Sequence, residues 1–364
     1  MSKILFLGDL FFDYDNIPID IEEISNYIKR NNYKCILNLE GTLFQSKHKI
    51  KKRGPNLCQS TKIIEVLKKL NVIGVTLANN HIYDYGEEGL LKTIEILRKN
   101  NIKYCGAGKN ISESLKPMEI IYDEKKIVIY NFGWRIEETV NAQKKKSGSA
   151  PRKEKKILNT IKEKSENEII IPIFHWGFEY NIYPLPIDIC LAHKLIEQKN
   201  VDMIIGHHSH CIQSFELYKE TPIYYSLGNF YFSSRRDSFS NIEYPEGIKD
   251  KSDYGLGVVY DLDNKNVEKE ILLFYDGKET KILEDSKQKE NLLIDITDMN
   301  KNSKEYIGII KKTGKNKNPV LDNKNALGYL KIYIIHIFIF IKKYLGLLPG
   351  IRNIKKYIKK RKDL

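Results

Sequence analysis

Two kinds of hydrophobic pattern alternate along the first 275 residues of the chain. Short apolar runs of the kind that form buried strands lie at 3–7, 34–37, 72–78, 168–174 and 202–206. Segments whose apolar residues recur at helical spacing lie at 21–30, 60–70, 87–101 and 187–198. This alternation of strand and helix predicts βαβ units, a parallel sheet and an α/β fold.

Polar residues with metal-ligand chemistry follow the predicted strands. They are Asp9, Glu40, Asn80, His175, His208 and His210. Because parallel strands present their carboxyl ends at one edge of a sheet, side chains distant in sequence converge there. Mixed nitrogen and oxygen ligands suit a divalent transition ion such as Mn, Fe or Zn, and a carboxylate can bridge two ions about 3.5–4 Å apart. We therefore predict a site for one or two divalent ions.

Each of these residues also has a purely structural interpretation. Asp9 follows Gly8 and suits a turn or a helix cap, while His175 suits a core histidine with a satisfied ring nitrogen. The repetition favours the metal site, because the chain has only eight histidines and four of them follow predicted strands. If residues 206–210 are extended, His208 and His210 point the same way, and His207 points opposite, where it would support the ligands rather than bind the ion. The remaining histidines, His48, His193 and His336, are expected to be surface or packing residues.

Cysteine content and charge limit the classes of protein. Five cysteines without a C-x-x-C spacing argue against a disulfide framework or a cysteine-rich zinc site. The five-residue apolar run at the N-terminus is too short for a signal peptide, so we expect a cytoplasmic main domain. Of the net charge of +13, residues 327–364 carry +9. The basic character therefore belongs to the tail and does not identify the substrate.

Six motifs occur in a fixed order: GDLFFD, NLEGTL, LANNHIYDYGEEGL, HWGFEY, GHHSHCIQ and YYSLGNFYF. Together they resemble the poly-γ-glutamate capsule biosynthesis (CapA-type) family, which is similar to the calcineurin-like metallophosphoesterases. The resemblance covers about residues 1–275. It implies an α/β fold that is a layered α-β-β-α sandwich of the metallophosphoesterase type. We expect a mostly helical C-terminal extension beyond it.

The resemblance also implies roles for individual residues. The implied metal ligands are Asp9, Glu40, Asn80, His175, His208 and His210, with Glu40 as the bridging carboxylate. His175 and His208 would share an ion with Asn80, and His210 would bind the other. His81 would face the scissile group, oriented by Asp84.

Two positions depart from the metallophosphoesterase pattern. Where such enzymes carry Asp-x-His in the first motif, this chain has Phe11 in place of the histidine. Where they carry Gly-Asp in the second motif, it has Leu39-Glu40. The CapA-type family matches the chain better at both places, and one of the two metal positions lacks an imidazole.

Two functions remain open from the sequence. The first is a metal-dependent hydrolase that attacks a phosphoryl or acyl centre with water activated by the ion, His81 protonating the leaving group. Lys52, Arg53 and Arg135 would then contact an anionic polymer or substrate, with surface solvation as their alternative. The second is a non-catalytic accessory or export-scaffold protein of polymer assembly.

The predicted domains are 1–278 for the main domain, 279–326 for a polar linker and 327–364 for the tail. The tail's uncharged run, 332–341, is shorter than the roughly 20 residues that span a bilayer. Ile351, Ile354 and Ile358 then share one helical face among basic residues, which predicts peripheral binding to the inner face of the membrane, near a polymer-synthesis complex. The alternative is packing on the main domain. Nucleic-acid binding is not expected.

Overall fold

The computed structural model describes residues 2–12, 20–52, 54–134, 139–232, 251–275, 279–284 and 286–297. The strands are β1 (Lys3–Phe11), β2 (Lys34–Leu39), β3 (Val72–Thr76), β4 (Lys103–Cys105), β5 (Ala107–Gly108), β6 (Met118–Tyr122), β7 (Lys125–Gly133), β8 (Gly148–Ser149), β9 (Glu168–His175), β10 (Ile204–His207), β11 (Phe215–Tyr218), β12 (Thr221–Tyr224), β13 (Asn229–Phe232), β14 (Tyr254–Asp261), β15 (Asn266–Tyr275) and β16 (Thr280–Leu283). The helices are α1 (Glu22–Arg30), α2 (Ile63–Lys69), α3 (Gly86–Lys99), α4 (Ile111–Ser114), α5 (Glu154–Thr160), α6 (Pro186–Lys199) and α7 (Ser286–Leu292).

The first large sheet has the strand order β16-β15-β14-β1-β2-β3-β4. Strands β1 to β4 run parallel, as the βαβ pattern predicts, and β14 to β16 add an antiparallel half. Strand β13 pairs in parallel with the end of β1, where the register shifts next to Asp9. Register shifts of this kind often occur beside active sites, where they redirect a side chain.

The second large sheet has the order β11-β12-β10-β9-β7-β6. Its four central strands, β7, β9, β10 and β12, are parallel, and each edge strand is antiparallel to its neighbour. Strands β5 and β8 form a separate two-stranded pair.

Alternating side chains of β1 divide between two cores. Ile4 and Phe6 pack with Ile129 and Ile171 of the second sheet, which forms the layer between the sheets. Leu5 and Leu7, on the opposite face of β1, pack with residues of α1, α2 and α3. Helices α5 and α6 cover the outer face of the second sheet. The predicted α-β-β-α sandwich is therefore confirmed.

Close approach of two backbones joins β13 to β1. The amide of Asp9 donates to the carbonyl of Gly228 at 2.9 Å. A Cβ atom at Gly8 would lie 2.2 Å from that same carbonyl oxygen, so only glycine allows this contact. The contact brings Asn229 beside Asp9.

The sheet continues past the predicted boundary at residue 278. Strand β16 pairs with β15, and Ile296 is buried in the core beneath the second sheet's outer helices. The sandwich therefore includes part of the segment predicted as linker. The predicted helical extension and the tail, 327–364, lie outside the described residues. Within those residues, no helix is long and apolar enough to cross a membrane.

Candidate metal centre

Asp9 is fully buried at the irregular end of β1. Its Oδ1 atom accepts a hydrogen bond from Asn38 Nδ2 at 2.8 Å, and its Oδ2 atom accepts one from the backbone amide of His208 at 3.1 Å. Burial alone raises the pKa of Asp9, but the nearby His207 and His210 imidazoles and the Asn38 amide outweigh it and lower the pKa. Asp9 is therefore a carboxylate.

Glu40 follows β2 and is fully buried as well. Its Oε1 atom has no hydrogen-bond partner and lies 3.9 Å from His81 Nε2 and 4.0 Å from His175 Nε2. Burial and then the negative charge of Asp9 raise the pKa of Glu40 well above its ordinary value. A buried carboxylate oxygen without a partner destabilises the folded protein unless a cation or a proton binds to it.

Imidazoles from the second sheet meet these carboxylates. His175, the last residue of β9, has its Nε2 atom 2.9 Å from Asn80 Oδ1. Its ring centroid lies 4.5 Å from that of His208, and neither ring nitrogen of His208 has a hydrogen-bond partner. Burial, followed by neighbouring imidazoles, lowers the pKa of His208 to about 3 and that of His175 well below its ordinary value. Both rings are therefore neutral, as metal ligands must be.

His210 is fixed through Asn229. Its Nδ1 atom lies 2.9 Å from Asn229 Oδ1 and 3.7 Å from Asp9 Oδ2. The backbone at His208 and His210 has positive φ angles of 98° and 56°, a conformation that is uncommon for residues other than glycine. This turn carries the histidines after β10 towards the first sheet.

The expected orientation of His207 is wrong. It does not point away from the centre, because its Nδ1 atom lies 3.0 Å from Asp9 Oδ1. The rule of alternating directions applies only to extended backbone, and the turn at His208 and His210 breaks it. His207 itself pairs with His175 across β10 and β9, so these two side chains lie on the same face of the sheet.

His81 and Asp84 lie together, as the resemblance implies. His81 Nδ1 is 2.7 Å from Asp84 Oδ2, which also accepts from the amide of Leu57 at 2.7 Å. Burial, and then the charge of Lys52, lower the pKa of His81 to about 4. The opposite ring nitrogen, Nε2, faces Glu40.

Of the three cations predicted to bind substrate, Lys52 is the one that the structure describes. Lys52 Nζ is buried and contacts Asp84 Oδ1 at 2.6 Å, His81 Nδ1 at 2.8 Å and the Asn80 carbonyl at 3.5 Å. These contacts enclose the ammonium group, so in this structure Lys52 contacts protein groups rather than solvent. Arg53 and Arg135 lie outside the described residues.

Three amide side chains support the centre and were missed from the sequence. Asn38 and Asn229 hold Asp9 and His210, and both stand at strand ends, a signal that could have identified them. Gln59 accepts from the amide of Phe12 at 3.1 Å and donates to the Glu40 carbonyl at 2.7 Å. It lies in a loop with no recognisable pattern.

The donor set fits a divalent cation. One ligand atom from each of Asp9, Glu40 and His175 lies within 4.8 Å of the other two. Several buried atoms without hydrogen-bond partners lie at this centre, namely Glu40 Oε1, His175 Nδ1 and both His208 ring nitrogens. Carboxylate oxygens with neutral imidazoles are the ligands that Mn, Fe and Zn accept.

The chain is similar to capsule proteins. The bacterial capsule synthesis protein family, PGA_cap, matches residues 3–234, which include all six candidate ligands. The capsule biosynthesis protein CapA of Bacillus anthracis is 29% identical over 216 residues, 57% of this chain and 52% of that protein. The PGA biosynthesis protein CapA of Bacillus subtilis (strain 168) is 31% identical over 193 residues, 52% of this chain and 50% of that protein.

The chain spans about half the length of these curated relatives. Among solved structures, a phosphatase of Mycoplasma pneumoniae aligns with 80% of this chain and 99% of its own, with 16% identity and a TM-score of 0.42. The family match extends over well more than half of the chain and contains the strand ends described above. The chain belongs to the bacterial capsule synthesis protein family.

Proposed function

We propose that this chain is a metal-dependent hydrolase that acts on a phosphoester or acyl bond during synthesis of an anionic surface polymer of the poly-γ-glutamate type. The observation that carries the proposal is the convergence of Asp9, Glu40 and His175 within 4.8 Å of one another in a buried site. The names of the Bacillus relatives support the polymer context.

The metal would be held by Asp9, Glu40, Asn80, His175, His208 and His210, as one or two ions of Mn, Fe or Zn. When bound, such an ion polarises a phosphoryl or carbonyl oxygen and lowers the pKa of water. The chain's own part is to keep the imidazoles neutral and the carboxylates unsolvated, which strengthens their attraction for a cation.

His81 is the proposed proton donor to the leaving group. Its Nε2 atom faces Glu40, while Nδ1 is held between Asp84 and Lys52. Asp84 accepts the Nδ1 proton of His81, so a proton passed to the leaving group would be carried by Nε2, on the side of the candidate metal ligands. Asp84, itself fixed by the amide of Leu57, keeps the ring from turning.

Hydrolysis of defined substrates tests this proposal. Metal-loaded protein should hydrolyse at least one member of a panel of phosphoesters and γ-glutamyl amides, and chelation should abolish the turnover. His81→Gln should keep its metal content and lose about 10²–10⁴-fold in kcat, the usual contribution of general acid–base catalysis. His193→Gln is the matched control, because His193 pairs with Glu216 away from the centre.

A second candidate is a non-catalytic accessory protein of polymer assembly. The observation that favours it is the packing of Phe11 against Phe232, with ring centroids 5.1 Å apart, and against Leu57. This apolar cluster stands where related phosphoesterases have an imidazole. Metal-loaded protein that binds poly-γ-glutamate at equilibrium but turns over no member of the panel would support this candidate against the hydrolase.

For its location, we propose that the tail, 327–364, binds the inner face of the membrane close to a polymer-synthesis complex. Its ten Lys and Arg residues support attraction to anionic lipid, each contributing about 1 kcal/mol near the surface. Full-length protein should float with anionic vesicles and be released in part by salt. A chain ending at Asn325 should stay at the bottom, and equal behaviour of the two would remove the tail from this role.

A further inference from the structure

The Asp9 side of the centre lacks an imidazole that the metallophosphoesterase pattern supplies. Phe11 occupies that position and packs with Leu57 and Phe232. Among the predicted histidine ligands, His210 places its Nδ1 atom 3.7 Å from Asp9 Oδ2. An ion held on this side by Asp9, Glu40 and His210 alone would have few nitrogen ligands.

His207 lies on the Asp9 side of the centre. The side chain is 2% exposed, and its Nδ1 atom is 3.0 Å from Asp9 Oδ1. At this distance an aligned pair would form a full hydrogen bond, but Nδ1 is poorly aligned with the oxygen and makes no well-formed one. Its in-plane axis is therefore directed past the carboxylate oxygen, which already accepts from Asn38 Nδ2.

This arrangement is the one expected of two ligands of the same ion. Bonds of about 2.0–2.2 Å to one ion would keep a nitrogen and an oxygen donor within about 3.0–3.6 Å of each other. Two donors of one ion would be directed at the ion and not at each other, in keeping with the poor alignment of His207 Nδ1 with Asp9 Oδ1. If no ion bound here, His207 Nδ1 would be a buried polar atom without a good partner, which is unfavourable.

The position of the His207 ring is set by the sheet rather than by a loop. His207 is the last residue of β10 and pairs in register with His175 of β9. The preceding residue, Gly206, packs so tightly that a Cβ atom there would lie 1.8 Å from the Tyr225 carbonyl oxygen. The backbone at this point therefore has little freedom, and the ring is held on the face that carries His175.

We propose that His207 is a metal ligand on the Asp9 side, binding a divalent ion of the Mn, Fe or Zn class in place of the imidazole that Phe11 removes. The inference rests on the proposed metal-dependent function and adds a ligand to it. An outer-shell role, in which His207 only orients Asp9, is the competing explanation, and such residues also change affinity by 10–100-fold. Affinity alone therefore does not separate the two.

Counting imidazoles around the ion separates them. Metal-free protein is saturated with Co²⁺, and cobalt content and the number of imidazoles per chain are measured by elemental analysis and X-ray absorption. The proteins compared are wild type, His207→Gln, His207→Asn and the control His193→Gln, each checked for folding by its thermal transition. The His207 variants should lose one cobalt-bound imidazole per chain, or one cobalt, while His193→Gln loses neither.

Two results would overturn the inference and are distinguishable from each other. Unchanged cobalt content and imidazole number in folded His207 variants, with or without weaker affinity, would make His207 an orienting residue and leave the metal centre intact. Absence of bound cobalt in the wild type would remove the metal-dependent function itself. Use of two different substitutions keeps the test decisive where one of them fails to fold.

Discussion

His175 and Asn80 meet across the two sheets, with 2.9 Å between Nε2 of the histidine and Oδ1 of the amide. His175 ends β9 of the second sheet, and Asn80 follows β3 of the first sheet. The contact shows that the carboxyl ends of parallel strands from both sheets open onto one site. Two layers of the sandwich therefore contribute candidate ligands, and neither layer holds the complete set.

Replacement of Lys52 should reduce the stability of the protein rather than its affinity for substrate. In Lys52→Met, Asp84 keeps its hydrogen bond from Leu57 but loses a buried cation at 2.6 Å. Breaking a buried pair from one side costs about 3–5 kcal/mol, so we expect a loss near 3 kcal/mol in urea unfolding. Lys52→Arg keeps the charge and should lose less. A Lys52→Met protein of normal stability, with only a raised KM for an anionic substrate, would restore the role predicted from sequence.

The buried ion pair of Arg152 and Asp188 should stabilise the region behind Trp176. Both side chains are almost fully buried, and the guanidinium lies over the ring of Trp176 with 5.5 Å to its centroid. Arg152→Met should lower the free energy of unfolding by about 3–5 kcal/mol, because it leaves the Asp188 carboxylate buried without its cation. Adding Asp188→Leu should recover part of that loss.

The matched control for this pair is on the surface. Lys92 and Glu95 form an exposed ion pair on α3, and Lys92→Met should leave unfolding nearly unchanged. If Arg152→Met were as mild as Lys92→Met, burial of the Arg152 pair would not matter for stability.

The metal-free protein should be less stable in mild acid because of His208. Its folded pKa is about 3, whereas an unfolded histidine titrates near 6.5. The unfolded chain thus binds more protons between these values, and the free energy of unfolding falls as pH decreases from 6.5 towards 3. This group contributes a slope of up to about 1.4 kcal/mol per pH unit.

Comparison with His208→Gln isolates this slope. Glu40 has the opposite effect on the pH dependence of stability, because its pKa is raised in the folded protein. To a first approximation, this effect is the same in wild type and in the variant. Urea unfolding in chelator at pH 6, 5 and 4 should therefore show a steeper decline for wild type than for the variant. Parallel curves would mean that His208 is protonated in the folded protein.

The hydrophobic pattern predicted where strands end, but it did not predict how β13 pairs with β1. Asp9, Glu40 and His175 were found because each follows an apolar run that forms a buried strand by itself. The parallel pairing of β13 with β1 depends on glycines that allow two backbones to touch, and nothing in the run of residues 229–232 signals its partner.

Tertiary contacts also decided the role of residues with no periodic pattern. Lys52 lies in a loop, and its partners are the side chains of His81 and Asp84 and the Asn80 carbonyl, brought to it by folding. His207 was assigned the wrong direction because positive φ angles at His208 and His210 follow from tertiary packing and cannot be read from residue type. Conformations of this kind concentrate at functional sites.

Metal analysis tests the central claim most directly. Wild-type protein purified in Mn²⁺ and then dialysed should retain at least one divalent ion per chain by elemental analysis. His175→Ala and His208→Ala should each lose ion content, since both remove a neutral imidazole from the buried group, whereas His193→Ala should retain it. Full metal content in folded His175→Ala and His208→Ala proteins would contradict the account, because the ion would then be bound somewhere else.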